Sequence, residues 1–195
     1  MFSGIIKKVS RPVSVVRNKN SMQLSFRIPE GWSLQEGESI NIDGVCSTVE
    51  KMNSKTFSVY YMPETLSKTT FEKVDENHKF NLERCISLNT LISGHLVYGH
   101  VDAVARIVAT GDDQESTILT LEIADGATRY MVYKGSVAIN GVSLTIISVS
   151  KNMFSVALIP YTKKHTNLGD LVEGDYVNVE VDMIAKHLEK LLRKS

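Results

Sequence analysis

Short runs in which β-branched and apolar residues alternate with polar ones recur along the chain: SINIDGVCSTV, TFSVYYM, STILTLEI, SVAINGVSLTIISV, FSVALIP and YVNVEVDMI. A period of two over such lengths predicts antiparallel strands with one buried face. Asp43-Gly44 and Asn140-Gly141 are dipeptides that accept positive φ at a tight reversal, and each predicts a β-hairpin. Strands at roughly ten-residue spacing, without long helical periodicity between them, predict small all-β barrels or sandwiches. Only a short helix fits between strands, at Pro63 to Thr69 and again at Pro160 to Thr166, where proline suits the first helical position. The closing segment MIAKHLEKLLRKS departs from this pattern. Ile184, Leu188, Leu191 and Leu192 fall at i, i+4, i+7 and i+8, which predicts one apolar helix stripe, docked on its own chain or packed between subunits.

The pattern is also written twice. Residues 37–49, GESINIDGVCSTV, fall on residues 134–146, KGSVAINGVSLTI, 97 positions later. Ser39/Ser136, Ile42/Ile139, Gly44/Gly141, Val45/Val142 and Thr48/Thr145 are identical. The same offset places MPETLSKTTFE on IPYTKKHTNLG and FNLE on VNVE. A repeat this long lets each copy bury its own core, so it predicts two homologous small domains rather than a solenoid.

Composition narrows the function classes. The chain has 195 residues with 22 basic and 22 acidic side chains, so no global field recruits nucleic acid or an anionic membrane. The start, MFSGIIKKVSR, lacks the apolar core of a secretory signal, and no run of about 18 apolar residues occurs, which predicts a cytoplasmic protein. Cys46 and Cys85 are then expected as free thiols.

Candidate chemistry gathers at two places. SGHLVYGHVDA carries His95 and His100, which lie five positions apart and so face opposite sides of a strand, a poor geometry for a shared metal. Cys46 and Ser143 hold one position in the two copies, each followed two residues later by Thr48 or Thr145. They read either as a small buried hydrophobe and a strand hydroxyl, or as weak nucleophiles and donors lining paired small-molecule pockets. Lys134 stands where copy one has Gly37; it is a solvated lysine or a preference for an anionic or carbonyl-bearing ligand on one side only.

Taken in order, MFSGII, GESINIDGVCSTV, MPETL, NLER, GHLVYGHVD, KGSVAINGVSLTI and IPYTKKHTNLG resemble the riboflavin synthase family over nearly the whole chain. The resemblance implies two tandem six-stranded Greek-key β-barrels, residues 1–90 and 91–182, followed by a C-terminal α-helix, residues 183–195, through which the family assembles as a homotrimer. It implies dismutation of two molecules of 6,7-dimethyl-8-ribityllumazine to riboflavin and a ribitylaminopyrimidinedione, without metal or organic cofactor, at sites between barrels of neighbouring subunits. Lumazine synthase is a further implied partner. Ligand contacts map to Gly4, Ile5 and Ile6, to Cys46, Ser47 and Thr48, and to Tyr60, Tyr61, Met62, Pro63, Glu64 and Thr65 in the first barrel. In the second they map to Gly99, His100 and Val101, to Lys134, to Ser143, Leu144 and Thr145, and to Ala157, Leu158, Ile159, Pro160, Tyr161 and Thr162. His100 is implied as a proton-transfer group, Ser143 as donor or nucleophile helper and Cys46 as its counterpart, with His95, Ser39 and Phe2 behind them. The family usually has a bulky apolar residue after the first cysteine; Ser47 stands there instead, which implies an altered first pocket. A non-catalytic, fluorescent lumazine- or flavin-binding relative is the alternative within the same family.

Overall fold

The computed structural model describes all residues except 114, 125 and 193–195. The first half contains β1 (Lys8–Ser10), β2 (Ser14–Asn18), β3 (Ser21–Arg27), β4 (Ser39–Ile42), β5 (Val45–Met52), β6 (Thr56–Tyr61), α1 (Pro63–Lys68) and β7 (Phe80–Arg84). The second contains β8 (Ala103–Asp113), β9 (Ser116–Ile123), β10 (Ser136–Ile139), β11 (Val142–Val149), β12 (Met153–Leu158), α2 (Pro160–His165) and β13 (Tyr176–Val181), and α3 (Met183–Leu192) follows. The two hairpins form as their turns require, with Asp43 and Asn140 at φ 44° and 45° and a positive-φ glycine after each. Pro63 and Pro160 each open a short helix, as the missing N–H and fixed φ of proline allow.

The second half is a closed six-stranded barrel in the order β10-β11-β12-β9-β8-β13. The first is a seven-stranded sheet, β1-β7-β4-β5-β6-β3-β2, whose two edges are consecutive in the chain. β1 and β2 together do the work of β8, and the split falls at Pro12. Its counterpart Ile107 donates its N–H to the Asp175 carbonyl at 2.8 Å, a bond proline cannot make. The first barrel therefore closes through the chain itself where the second closes by hydrogen bonds.

Inward positions of every strand fill one core per barrel, and the two fillings differ. Phe26, Phe57, Tyr61, Phe71 and Phe80 dominate the first, with ring centroids 4.9–5.6 Å apart in the pairs they form. The second puts Leu121, Phe154, Leu158, Leu168 and Val177 in the corresponding places. Between the barrels the Asp43-Gly44 and Asn140-Gly141 turns abut, so close that a Cβ on Gly44 would lie 3.0 Å from the Gly141 nitrogen. Around them a buried polar seam joins the halves. Asn178 donates to the Asp43 carbonyl and accepts from the Thr70 N–H, both at 2.8 Å, and Asn167 donates to the Asp43 carboxylate at 2.9 Å. His78 meets the other carboxylate oxygen of Asp43 at 2.8 Å; burial raises the Asp43 pKa and the His78 contact opposes that rise.

α3 carries the stripe that its periodicity predicts as far as Leu192; the rest of the range expected from sequence, 193–195, lies outside the described residues. Lys186 pairs with Asp102, and Arg129 with Glu189 at 3.5 Å, which ties the helix to the second barrel by its polar side. Ile184, Leu188 and Leu191 are more than half exposed on the opposite side.

Candidate functional site

Two leading segments cross between the barrels and define the site. Phe2 and Val97 exchange backbone hydrogen bonds of 2.7 and 3.1 Å, an isolated antiparallel bridge between the segment before β1 and the segment before β8. Just beyond the bridge each segment touches the other copy's hairpin. The Gly4 carbonyl accepts from the Ser143 N–H, and the Gly99 carbonyl from the Cys46 N–H, both at 2.8 Å. Both glycines have φ near +75°, and a Cβ on either would lie 2.6 Å from Ser143 or Cys46 atoms, so only glycine allows this approach. Phe2, Val97, Ala138 and Cys46 pack together where the segments cross.

Outward positions of the hairpins form one shelf per barrel. Ser39 faces Thr48 across β4 and β5, and the Val49–Val59 pair sets Thr48 beside Tyr60 on β6. The second barrel repeats this with Ser136 opposite Thr145 and, beside it, Ala157. Large side chains rim both shelves and remain exposed: Tyr60 at 44% and Met62 at 59% in the first, Ile159 at 55% and Tyr161 at 66% in the second. Pro63, Glu64, Thr65 and Pro160, Thr162 continue each rim into α1 and α2. Lys134 is exposed at φ 64° beside Tyr133, in the left-handed place that Gly37 fills at φ 86° in the first copy.

The alternation of β5 and β11 corrects part of the residue set drawn from sequence. Ser47, Tyr61, Leu144 and Leu158 point into the barrels and are buried, so their side chains do not face the shelves. Ser47 bonds the Tyr61 hydroxyl at 2.7 Å and the Val45 carbonyl at 3.0 Å. The serine after Cys46 thus serves the core, as a hydrogen-bond partner of Tyr61. Phe2, Gly4 and Gly99 are buried in the crossing.

One contact was not legible as a pair. His95 Nδ1 lies 2.7 Å from the Ser143 hydroxyl. Burial pulls the His95 pKa below the usual histidine value and the Asp182 charge pulls it back, and its Nε2 is buried without a hydrogen-bond partner among the described residues. Spacing could not reveal this, because the two residues lie 48 positions apart. Among the described residues no side chain makes the matching hydrogen bond to the Cys46 thiol, which is a free cysteine. His100 is exposed beside Tyr98, with ring centroids 6.2 Å apart. The inter-barrel cleft of about 460 Å³ lined by Lys73, His78, Asp175 and Tyr176 lies apart from all of these residues.

Comparison with known proteins identifies the family and the fold. A model of the lumazine binding domain matches twice, at residues 3–85 and 98–182. The riboflavin synthase of Actinobacillus pleuropneumoniae is 34% identical in an alignment covering all of this chain and 91% of the relative. That of Bacillus subtilis (strain 168) is 33% identical with the same coverage. LumP complexed with 6,7-dimethyl-8-(1'-D-ribityl) lumazine superposes with a TM-score of 0.83 at 22% identity, covering 93% of this chain and 99% of that one. LumP complexed with riboflavin gives 0.86 at 22% identity, covering 93% and 100%. The repeated domain and the full-length similarity to enzymes place the chain in the lumazine-binding family, among the riboflavin synthases.

Proposed function

We propose that the chain dismutates two molecules of 6,7-dimethyl-8-ribityllumazine, one bound on each kind of shelf, to riboflavin and 5-amino-6-(ribitylamino)pyrimidinedione. The observation that carries this reading is a duplicated shelf with a polarised hydroxyl on one copy only, the Ser143–His95 pair. Two identical reactants need two like pockets, and unlike fates need an asymmetry between them. The four carbons lost by one lumazine are gained by the other, so no external oxidant or reductant enters.

Thr48 and Thr145 supply hydroxyls on the shelves, and Ser39 and Ser136 stand opposite them in register. Tyr60, Met62, Ile159 and Tyr161 supply the apolar surface that a flat ring system covers. Holding two rings face to face is itself worth roughly 7 to 11 kcal/mol of barrier. His95, kept neutral by burial, accepts the Ser143 proton at Nδ1, which lets the hydroxyl oxygen act on the ring or on water. His100, exposed at the rim, exchanges protons with the acidic methyl group of a bound lumazine. Cys46 contributes a free thiol at the matching position, with no base hydrogen-bonded to it among the described residues.

Both shelves are open in one chain, and the apolar stripe of α3 is exposed. These two facts support self-association through α3, which we read as a homotrimer in which the first shelf of one subunit closes over the second shelf of the next; a cytosolic location goes with the same reading. Sedimentation of the purified protein tests the trimer, and co-sedimentation tests association with lumazine synthase. The direct assay is incubation with 6,7-dimethyl-8-ribityllumazine while riboflavin absorbance is followed. Sustained riboflavin formation is the expected result. Tight binding without turnover would instead make the protein a lumazine-holding antenna.

A further inference from the structure

Two buried carboxylates have no part in that chemistry. Glu83 on β7 and Glu180 on β13 hold the same place in the two copies and are each 2% exposed. Glu180 Oε1 accepts the Tyr98 N–H at 2.6 Å, and its Oε2 accepts the Gly99 and His100 N–H groups at 2.7 and 2.8 Å. Glu83 Oε1 accepts from the Ser3 N–H and hydroxyl at 2.8 and 2.6 Å, and its Oε2 from the Gly4 N–H at 3.0 Å. Successive N–H groups converging on one anion form a nest, the arrangement with which backbones usually grip a bound phosphate or carboxylate. Here the anion belongs to the chain.

Burying a carboxylate with no cation beside it is costly, and burial raises the pKa of both groups while the N–H bonds oppose the rise. That cost is borne at the two points where a leading segment turns toward the other barrel. Of the three N–H groups Glu180 holds, one is that of His100, and the residue between them, Gly99, presents its carbonyl to Cys46. Glu83 likewise holds Gly4, whose carbonyl meets the Ser143 N–H. Each carboxylate thus sets, through one backbone turn, a shelf residue of the opposite copy.

We infer that Glu180 is a positioning residue of the reaction, fixing His100 directly and Cys46 through Gly99, and that Glu83 does the same for Ser143 through Gly4. The inference rests on the synthase reading, since it assigns His100 and Ser143 a share in turnover. Neither glutamate touches the substrate, so their removal acts on geometry rather than on contact.

Glu180→Gln tests it with little change of shape. The amide keeps one acceptor oxygen and turns an NH2 group toward N–H donors, so at least one of the three bonds is lost. The expected result is a kcat lowered by about tenfold or more with KM changed by less than about threefold, because a misplacement of order 1 Å at a reacting group costs rate before binding. The His100 ring resonances move in the NMR spectrum. Glu83→Gln lowers kcat similarly but leaves the His100 resonances in place. If Glu180→Gln does not fold, Glu180→Asp, which keeps the charge on a shorter arm, carries the same readings. A Glu180 variant with wild-type kcat and unmoved His100 resonances overturns the inference. Wild-type protein without turnover overturns the synthase reading instead, and the resonance shift then still decides whether Glu180 holds His100.

Discussion

The two barrels share a strand order and differ in what fills them. Where the first sets Tyr61 against Ser47, the second sets Leu158 against Leu144. A large ring with a small neighbour has become two medium side chains, and the buried hydroxyl of Tyr61 is matched by the hydroxyl that Ser47 brings. Burial raises the Tyr61 pKa and the Ser47 bond opposes it, so the pair sits as a neutral hydrogen-bonded unit inside an otherwise apolar core. The lesson is that core positions diverged in pairs while the outward row, Ser39/Thr48 and Ser136/Thr145, did not diverge at all. On that outward face the differences lie beside this row, in Cys46 against Ser143 with His95 and in Tyr60 against Ala157.

The sharpest break of this comparison is chemical. Ser143→Ala removes the polarised hydroxyl and is expected to lower kcat by about 10²- to 10⁴-fold, whereas Cys46→Ala, lacking a base to lose, changes it by less than about tenfold. Steady-state riboflavin formation measures both. Equal losses would mean that the two copies share the chemistry evenly. Next in size is the core pair. Tyr61→Leu leaves a cavity beside Ser47 and is expected to cost about 2 to 4 kcal/mol, and Ser47→Leu overpacks against the ring for about 1 to 3 kcal/mol. Installing both leucines recreates the second barrel's pair and is expected to lie above the sum of the single variants by about 1 kcal/mol or more in urea unfolding. Additive losses would mean that the pairing is coincidental.

A pH measurement sharpens the same asymmetry. His95 must be neutral to accept the Ser143 proton, and burial holds its pKa below the ordinary value of 6.5. Turnover should therefore fall on acidification with a midpoint below 6.5. Asp182→Asn removes the charge that raises this pKa, so the midpoint should move lower still. A shift upward would remove His95 from the role of base. Smallest of all is the effect of Pro12→Ile. It restores the N–H that Ile107 uses, worth about 1 kcal/mol, but gives up the stiffness of proline in the unfolded chain, worth about 0.4 to 1 kcal/mol. Stability should stay within about 0.5 kcal/mol of wild type by thermal unfolding.

Much of the architecture was legible because it is local. The period of two, the Asp43-Gly44 and Asn140-Gly141 turns, the proline-led helices and the stripe of α3 each depend on neighbours within a few residues. The offset of 97 was legible too, but it holds only from the hairpins onward. Ahead of them Gly4 corresponds to Gly99, two residues short of that offset, as the pairing of Lys8 with Leu82 and of Ala103 with Val179 requires. Side-chain direction on β5 was readable in principle: Val45, Ser47 and Val49 share a face, and placing Ser47 with the two valines would have put it inside. The His95–Ser143 contact and the glutamate nests were beyond reach, since each joins residues 48 to 82 positions apart that only the folded barrels bring together.

The abutting turns carry a rule about which substitutions each copy can accept. Asp43 and Asn140 are the same residue of an ancestral segment, and both lean on Asn167 at the seam between barrels. In an assembly of two identical halves, any carboxylate at this point would be repeated close to its own image in a buried place. Joining the halves in one chain releases that constraint. One copy takes an aspartate and recruits His78, while the other keeps a neutral amide. Covalent linkage thus turned a mirror into a choice, and this buried seam, far from either shelf, records it as plainly as the shelves do.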